Sequence, residues 1–314
     1  MKHTILFLSI LAMATGCSKE LDKPEGDLSE VLRLVFRDGN PTDEATEDLL
    51  KGALARLDED EFPRYDLNAS VNDRTVSPDK LTADYRGGFE LPPGMTGDKF
   101  DNCTGDDPSG DCAEVSEDNQ LPVGVFGISK HGLEANMTAL SEDNQACIAS
   151  NTSKYSMKTW ENKDCFFDGS CNSASSVSEV RTESLIANVW LDIHNDYFRT
   201  ELPDGREVVL SRGWTEKVWW SDKCTQSWDQ RFTIDIWIPD ADDAGKTKRL
   251  FVMWSSVNIT GVSEKFYTGL VKDGSAEGMD NTDAFIDGET CNWRDTPNTR
   301  SEDVDAQCAT GGGA

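Results

Sequence analysis

Between residues 184 and 259, apolar and polar residues alternate in the period-two pattern that is typical of β-strands. Successive side chains of a strand point to opposite faces of its sheet, so this alternation predicts strands with one buried face. The pattern indicates four strands in succession, around residues 189–193, from residue 207, at residues 228–238 and at residues 250–259. Because short polar loops join these segments, we expect an antiparallel meander.

Weaker patterns on either side of this block predict further elements. Residues 123–126 and 155–159 indicate strands, and every second residue between Leu133 and Ala139 is apolar, which predicts a half-buried strand there as well. After Gly261 the pattern changes to that of a helix with Ser263 as its N-cap. We expect this helix to break at Asp273-Gly274 and to resume towards residue 286. Its predicted inward face consists of Phe266, Tyr267, Leu270 and Val271.

Residues 27–58 predict a helical hairpin. Asp27 and Glu30 have the spacing of a capping box, and Gly39 is placed to end the first helix. The apolar stripes of the two helices are Leu28, Val31, Leu32, Val35 and Phe36, and Ala45, Leu49, Ala53 and Leu57. We expect the pair to dock on the main domain; binding to a partner helix is the alternative.

Together these patterns predict an α+β, β-rich fold: a curved antiparallel sheet meander with a C-terminal helix and an N-terminal helical hairpin, stapled by disulfides. The main domain is predicted at residues 122–308, after a loop-rich acidic segment at residues 59–121 and before a disordered tail at residues 309–314. A curved sheet followed by a helix is similar to the helix-grip arrangement of START-like domains. That resemblance implies a cavity for apolar ligands between sheet and helix. A disulfide-bonded β-sandwich is the competing architecture.

Residues 1–16 have the pattern of a signal peptide, with a positive charge before an apolar run too short to span a bilayer. The segment ends in Ala14-Thr15-Gly16-Cys17, which resembles the lipobox of bacterial lipoproteins. The resemblance implies that Cys17 is lipidated and attaches the protein to a membrane, with residues 17–26 as a tether. Ser18 in place of aspartate implies the outer membrane or cell surface. An ordinary signal peptide that ends near a cysteine is the alternative.

Eight cysteines follow Cys17, and an even number in an exported chain predicts disulfides. They are Cys103, Cys112, Cys147, Cys165, Cys171, Cys224, Cys291 and Cys308. Cys103 with Cys112 and Cys165 with Cys171 are close enough in sequence to pair locally, and the pairing of the other four stays open. A zinc site is disfavoured because no Cys-x-x-Cys spacing occurs.

The chain is strongly acidic. Its net charge is −28, and removal of residues 1–16 takes away one lysine, which leaves 29 basic against 58 acidic residues, or −29. Such a surface repels phosphate backbones, so we expect no nucleic-acid partner. Residues 101–112 loosely resemble the calcium loops of thrombospondin type 3 repeats, which implies a bound calcium ion. The Asp-x-Asp-x-Asp-Gly core of those repeats is missing from this segment. An acidic loop stapled by a disulfide is the alternative. No other cofactor is predicted.

Motifs of common catalytic sites are absent from the sequence, including Gly-x-Ser-x-Gly, the Walker loop, Gly-x-Gly-x-x-Gly and His-Glu-x-x-His. His131 and His194 are the only histidines after residue 16, which disfavours histidine chemistry. A candidate metal site is the set Asp192, His194 and Asp196, which alternate along one strand and therefore share a face. A solvated sheet face is the alternative.

Large apolar side chains on otherwise polar strand faces predict a second apolar surface, made by Trp190, Trp237, Phe251 and Met253. It would line a ligand cavity under the C-terminal helix, or be covered by the hairpin, by loops or by a partner. Arg212 lies in an apolar row. We expect it to bind an anionic ligand group, to pair with Glu216, or to reach solvent by strand twist.

Three functions fit these observations. The first is a lipid-anchored cell-envelope surface protein with a non-catalytic binding or structural role, whose partner would be an envelope protein. The second is a START-like carrier or sensor of an apolar small molecule. The third is a secreted hydrolase that uses carboxylates. A sealed apolar cavity would favour the second function, and side chains converging in a cleft would favour the third.

Overall fold

A computed structural model describes residues 31–61 apart from positions 33, 37, 38 and 42, residues 121–149, 152–183, 188–215, 219–221 and 223–289, and Cys308. Several predictions lie outside the described residues. They concern the signal peptide and Cys17, the tether, the acidic segment with its calcium loop, the pairing of Cys103 with Cys112, and the C-terminal tail.

Eight strands form one antiparallel sheet. They are β1 (Leu121–Ser129), β2 (Thr152–Glu161), β3 (Ser173–Glu183), β4 (Asn188–Glu201), β5 (Glu207–Trp214), β6 (Trp219–Trp220), β7 (Gln226–Pro239) and β8 (Thr247–Ile259). Their order across the sheet is β1-β8-β7-β5-β4-β3-β2, and β6 pairs with β7 outside this path. The predicted meander is therefore confirmed, and β1 is added to it beside β8 at one edge. Gly205 makes the β4–β5 turn with a φ of +86°, a conformation that favours glycine.

The described helices are α1 (Glu44–Arg56), α2 (Leu133–Ser141), α3 (Lys163–Phe167) and α4 (Glu264–Ile286), together with a helical segment at residues 31–36 and a π-helical turn at Leu57–Glu61. None of the helices in the described part of the chain is both long enough and apolar enough to cross a membrane.

The prediction of a strand at residues 133–139 was wrong, because these residues form α2. Leu133 and Met137 are four residues apart, so they also share one face of a helix, and both pack into a cluster with Trp237. A short apolar run fits both the period of a strand and the period of a helix, and here the tertiary contacts select the helix.

The predicted break in the C-terminal helix was also wrong, because α4 is continuous through Asp273-Gly274. An interior glycine costs a helix about 1 kcal/mol relative to alanine, and burial of Tyr267, Ala276 and Met279 offsets that cost. Phe266 does not point inward as predicted; 49% of its surface is exposed. The inward stripe begins one residue later, at Tyr267.

Strand β3 was not predicted, because its sequence is rich in serine and contains few apolar residues. Buried and partly buried positions nevertheless alternate along it. Ser176 and Ser178 are among the buried ones. A register shift between Trp228 and Gln230 interrupts the period-two pattern of β7, because it places Trp228 on the side opposite Phe232.

One face of the sheet, here called the hairpin face, is covered by the N-terminal helices. Its apolar residues come mainly from β5, β7 and β8 and include Leu210, Ile234 and Trp254. The helices contribute Val31, Leu32, Val35 and Phe36, and Leu50, Ala53, Leu54 and Leu57. The helices therefore dock on the sheet, as the first of the two alternatives predicts. The stripe of α1 differs from the predicted one, since Ala45 is exposed and Leu50 and Leu54 are buried.

Disulfides link distant and local parts of the chain. Cys165 pairs with Cys171, as predicted, across the end of α3. Cys224 pairs with Cys308, which attaches the C-terminal segment to the turn before β7. Cys147 is also disulfide-bonded, and its partner lies outside the described residues.

Candidate ligand cavity

The opposite face of the sheet, here called the cavity face, is covered by α4 and α2. Helix α4 begins at Ser263, whose side chain accepts a hydrogen bond from the Phe266 backbone nitrogen. Further along, Ala276 and Met279 pack against Val123 and Val125 of β1. Between the contacts that fix the helix, sheet and helix border a partly open cavity of about 280 Å³.

The walls of the cavity are mainly apolar. From the sheet they include Val180, Leu191, Ile193, Trp237, Phe251 and Met253, and from α4 they include Leu270 and Val271. Leu140 of α2 and Ile148 after it close one side. A cavity with apolar walls and few polar groups is typical of small-molecule sites.

One ion pair lies on the cavity face. Nε of Arg249 donates to both carboxylate oxygens of Asp235, at 2.9 and 3.1 Å. The Arg249 guanidinium also lies 5.1 Å from the centre of the Trp237 ring. Burial raises the pKa of the Asp235 carboxyl above its usual value, and Arg249 acts in the opposite direction. Asp235 is the only carboxylate in the described lining of the cavity.

Gly213 leaves room for two polar side chains of the lining. A Cβ added at this position would lie 2.5 Å from Oγ1 of Thr233 and 2.6 Å from Oδ1 of Asn195. Any larger residue would therefore displace one of these groups from its position on the cavity face. Asn195 is 8% exposed, and its side-chain nitrogen has no hydrogen-bond partner among the described residues.

Three tyrosines border the cavity. Burial raises the pKa values of Tyr155, Tyr197 and Tyr267, so all three hydroxyl groups stay protonated at neutral pH. The Tyr267 hydroxyl lies 2.7 Å from Oγ of Ser255, and the Tyr197 hydroxyl lies 3.3 Å from Oγ of Ser176. These hydroxyl groups are therefore hydrogen-bonding groups rather than bases.

Arg231 also lines the cavity, from β7. Its Nε donates to Sδ of Met253 at 3.3 Å. Burial lowers the pKa of the Arg231 guanidinium from its ordinary value, since low-polarity surroundings disfavour the charged form.

The residues predicted to form the second apolar surface divide between the two faces. Trp237, Phe251 and Met253 line the cavity. Trp190 does not, because it lies on the opposite side of β4, where Lys154 and Arg181 stack on its ring at 5.5 and 5.3 Å. The pattern could not show which strands pair, and pairing decides which aromatic residues meet.

Arg212 lies on the hairpin face and not in the cavity. Its Nη2 donates to Oδ2 of Asp196 at 2.8 Å, and its Nη1 donates to the backbone oxygen of Phe36 at 2.9 Å. Arg212 therefore forms an ion pair beneath the N-terminal helices; it does not line the cavity, and at 5% exposure it does not reach solvent. The predicted pairing with Glu216 lies outside the described residues.

The predicted metal set does not converge on one point. Asp196 is paired with Arg212, and the His194 ring stacks on Trp214 at 5.6 Å. Across the described ranges, no group of three histidine, cysteine, aspartate or glutamate side chains could hold a metal ion, and Asp192 belongs to no such group.

The polar lining of the cavity was not identified from the sequence. Arg231, Thr233 and Asp235 alternate with apolar residues, and that pattern predicts a solvated face. The sequence signal that could have identified this polar lining was on the neighbouring strand, β8. In the observed register, Thr233 pairs with Met253 and Asp235 with Phe251, so the polar face of β7 lies beside large apolar side chains rather than beside other polar ones.

Fold and cavity together define a class of architecture: an open antiparallel sheet that is covered by a C-terminal helix over an internal cavity. No family model and no curated protein matches the chain. Solved structures with a similar arrangement include an aromatase/cyclase from Streptomyces, with 10% identity and a TM-score of 0.35, covering 54% of this chain and 94% of that chain.

Two others are lipid transfer proteins by name. A STAR-related lipid transfer protein from Xanthomonas axonopodis has 9% identity and a TM-score of 0.38, covering 53% of this chain and 85% of that chain. The human StarD13 lipid transfer and protein localization domain has 9% identity and a TM-score of 0.32, covering 56% of this chain and 87% of that chain.

Proposed function

We propose that the protein is a lipid-anchored envelope protein that carries or senses an apolar small molecule. The observation that supports this function is the cavity of about 280 Å³ between the sheet and α4. Clefts and cavities with mainly apolar walls are the usual binding sites of small molecules. The membrane attachment rests on the lipobox resemblance of Ala14-Thr15-Gly16-Cys17.

The cavity supports binding better than hydrolysis. A carboxylate-based hydrolase needs an acid and a base or nucleophile near one bond, commonly two carboxyl groups. The described lining offers one carboxylate, Asp235, and it is paired with Arg249.

The volume of the cavity limits the size of its ligand. A cavity of 280 Å³ equals the volume of roughly nine waters at about 30 Å³ each. We therefore expect a ligand of roughly ten non-hydrogen atoms. Each methylene buried in the cavity contributes about 0.8 kcal/mol, or roughly a fourfold gain in affinity.

A series of neutral 1-alkanols from butanol to dodecanol tests this function by isothermal titration calorimetry. We expect the affinity to rise with each methylene and to stop rising near ten carbons, where the cavity is full. A surface patch without a cavity would give no such limit. If no alkanol binds at millimolar concentration, the proposed function is wrong.

Two variants of α4 provide a matched comparison. Leu270→Glu places a charge in the cavity lining, and Phe266→Glu places the same charge one turn earlier at an exposed position. We expect the first variant to lose alkanol binding and the second to retain it, with unchanged circular dichroism in both. Equal binding by both variants would place the binding site elsewhere.

A further inference from the structure

Arg231 differs from the other arginines of the described sheet and its loops because it has no acidic partner among the described residues. The others pair as Arg181–Glu183, Arg199–Glu207, Arg206–Asp58, Arg212–Asp196 and Arg249–Asp235. Among the residues that the structure describes, the ionisable groups that act on the charge of Arg231 are the phenols of Tyr155 and Tyr267. Within the same part of the chain, its side chain donates to the Met253 thioether, which is a weak acceptor.

An arginine in this position has a physical cost. The guanidinium group stays protonated in proteins, so burial cannot be relieved by loss of the proton. A buried charge is stable only when an opposite charge or several strong acceptors surround it. The described protein groups around Arg231 supply neither, which leaves the charge available to a ligand.

The second arginine of the described lining cannot serve the same purpose. Arg249 is neutralised by Asp235, which holds it through two hydrogen bonds from Nε. The Arg249–Asp235 pair carries no net charge, so it does not attract an anion to that end of the cavity. Since Arg231 and Asp235 are four residues apart on one face of β7, they lie about 13 Å apart along the strand. The electrostatic field of the lining therefore directs a negative group towards Arg231.

We propose that Arg231 binds the head group of the ligand, and that this ligand is a monocarboxylate whose apolar body fills the rest of the cavity. The planar guanidinium fork matches the two oxygens of a carboxylate. A dianionic phosphate would bring two negative charges to the site, of which Arg231 compensates one. This inference rests on the proposed function, because it assigns the chemistry of the same cavity.

Octanoate and octanamide provide the test, because both have ten non-hydrogen atoms and differ in charge. Isothermal titration calorimetry on the wild-type protein at pH 7.5 should show that octanoate binds about 10-fold to 100-fold more tightly than octanamide. This factor is the usual advantage of a hydrogen bond to a charged group. Octyl phosphate should bind more weakly than octanoate.

Variants then assign the preference to Arg231. Arg231→Met keeps an unbranched side chain and removes its charge, and it should bind octanoate no better than octanamide. Arg231→Lys keeps the charge and should retain part of the preference. Arg181→Met is the matched control, since it removes the same charge from the opposite side of the sheet, where Arg181 stacks on Trp190; its preference should equal that of the wild type.

The outcomes separate the two proposals. If octanamide binds and octanoate binds no better, the head-group inference is wrong while the cavity function stands. The same holds if octyl phosphate binds more tightly than octanoate, or if Arg231→Met keeps the preference. If neither compound binds, both proposals are overturned. Should Arg231→Met fail to fold, the wild-type comparison and Arg231→Lys still decide the question.

Discussion

Replacement of Phe36 by alanine should strongly destabilise the protein. Phe36 is 2% exposed beneath the sheet, and its ring meets that of Phe232 edge to face, with centroids 5.9 Å apart. Truncation of a buried phenylalanine to alanine costs about 3–5 kcal/mol, because the removed ring leaves a cavity. The free energy of unfolding of a natural domain is about 5–15 kcal/mol, so this single change should remove roughly a fifth or more of it.

The measurement is equilibrium urea unfolding followed by tryptophan fluorescence, which also reports on Trp254 in the same cluster. Phe266→Ala is the control. It makes the same chemical change at a side chain that is 49% exposed, and it should alter the free energy of unfolding by less than about 0.5 kcal/mol. A loss below about 1 kcal/mol for Phe36→Ala would refute the docking of the N-terminal helices on the sheet.

The remaining predictions concern the anchor, the disulfides and the cavity. Cys17→Ser should release the protein from the membrane fraction, and unchanged fractionation would refute lipidation. Mass measurement of the exported protein under denaturing, non-reducing conditions should find no free thiols after alkylation. Removal of the Cys224–Cys308 disulfide, with a sequence separation of 84, should lower the free energy of unfolding by about 4–5 kcal/mol in chemical denaturation. Removal of Cys165–Cys171, with a separation of 6, should lower it by about 2–3 kcal/mol. Equal losses would contradict the chain-entropy account. Gly213→Ala should displace the side chain of Thr233 or Asn195 and weaken octanamide binding in calorimetry. An affinity equal to that of the wild type would contradict this prediction, because the lining would then adjust freely.

Much of the fold could be predicted because hydrophobic periodicity is a local signal. Strands β4, β5, β7 and β8, the N-cap at Ser263 and the burial of Phe36 all follow from it. The signal failed where it was ambiguous or absent. The run from Leu133 to Ala139 fits both the strand period and the helix period. Strand β3 has too few apolar residues to show any period.

The site was harder to predict, because it depends on which strands are neighbours. Trp190 and Trp237 have the same appearance in the sequence, yet they lie on opposite faces of the sheet. Arg212 interrupts an apolar row, whereas Arg231 belongs to a polar one; the first is paired with Asp196 and the second faces the cavity. Ion pairs between strands leave no periodic trace, so the sequence could indicate that Arg212 is unusual but not its partner.

The place of β1 in the sheet has a consequence for the order in which the protein folds. Its pairs with β8 join Ser129 to Thr247 and Leu121 to Ser255, which are 118 and 134 positions apart (247 minus 129 and 255 minus 121). During synthesis from the N-terminus, β1 emerges long before its partner, and its backbone groups stay unpaired until β8 follows. Contacts this distant form slowly, and unpaired strand edges promote aggregation. The sheet cannot be completed until β8 has been synthesised, so the newly made chain needs protection for that interval.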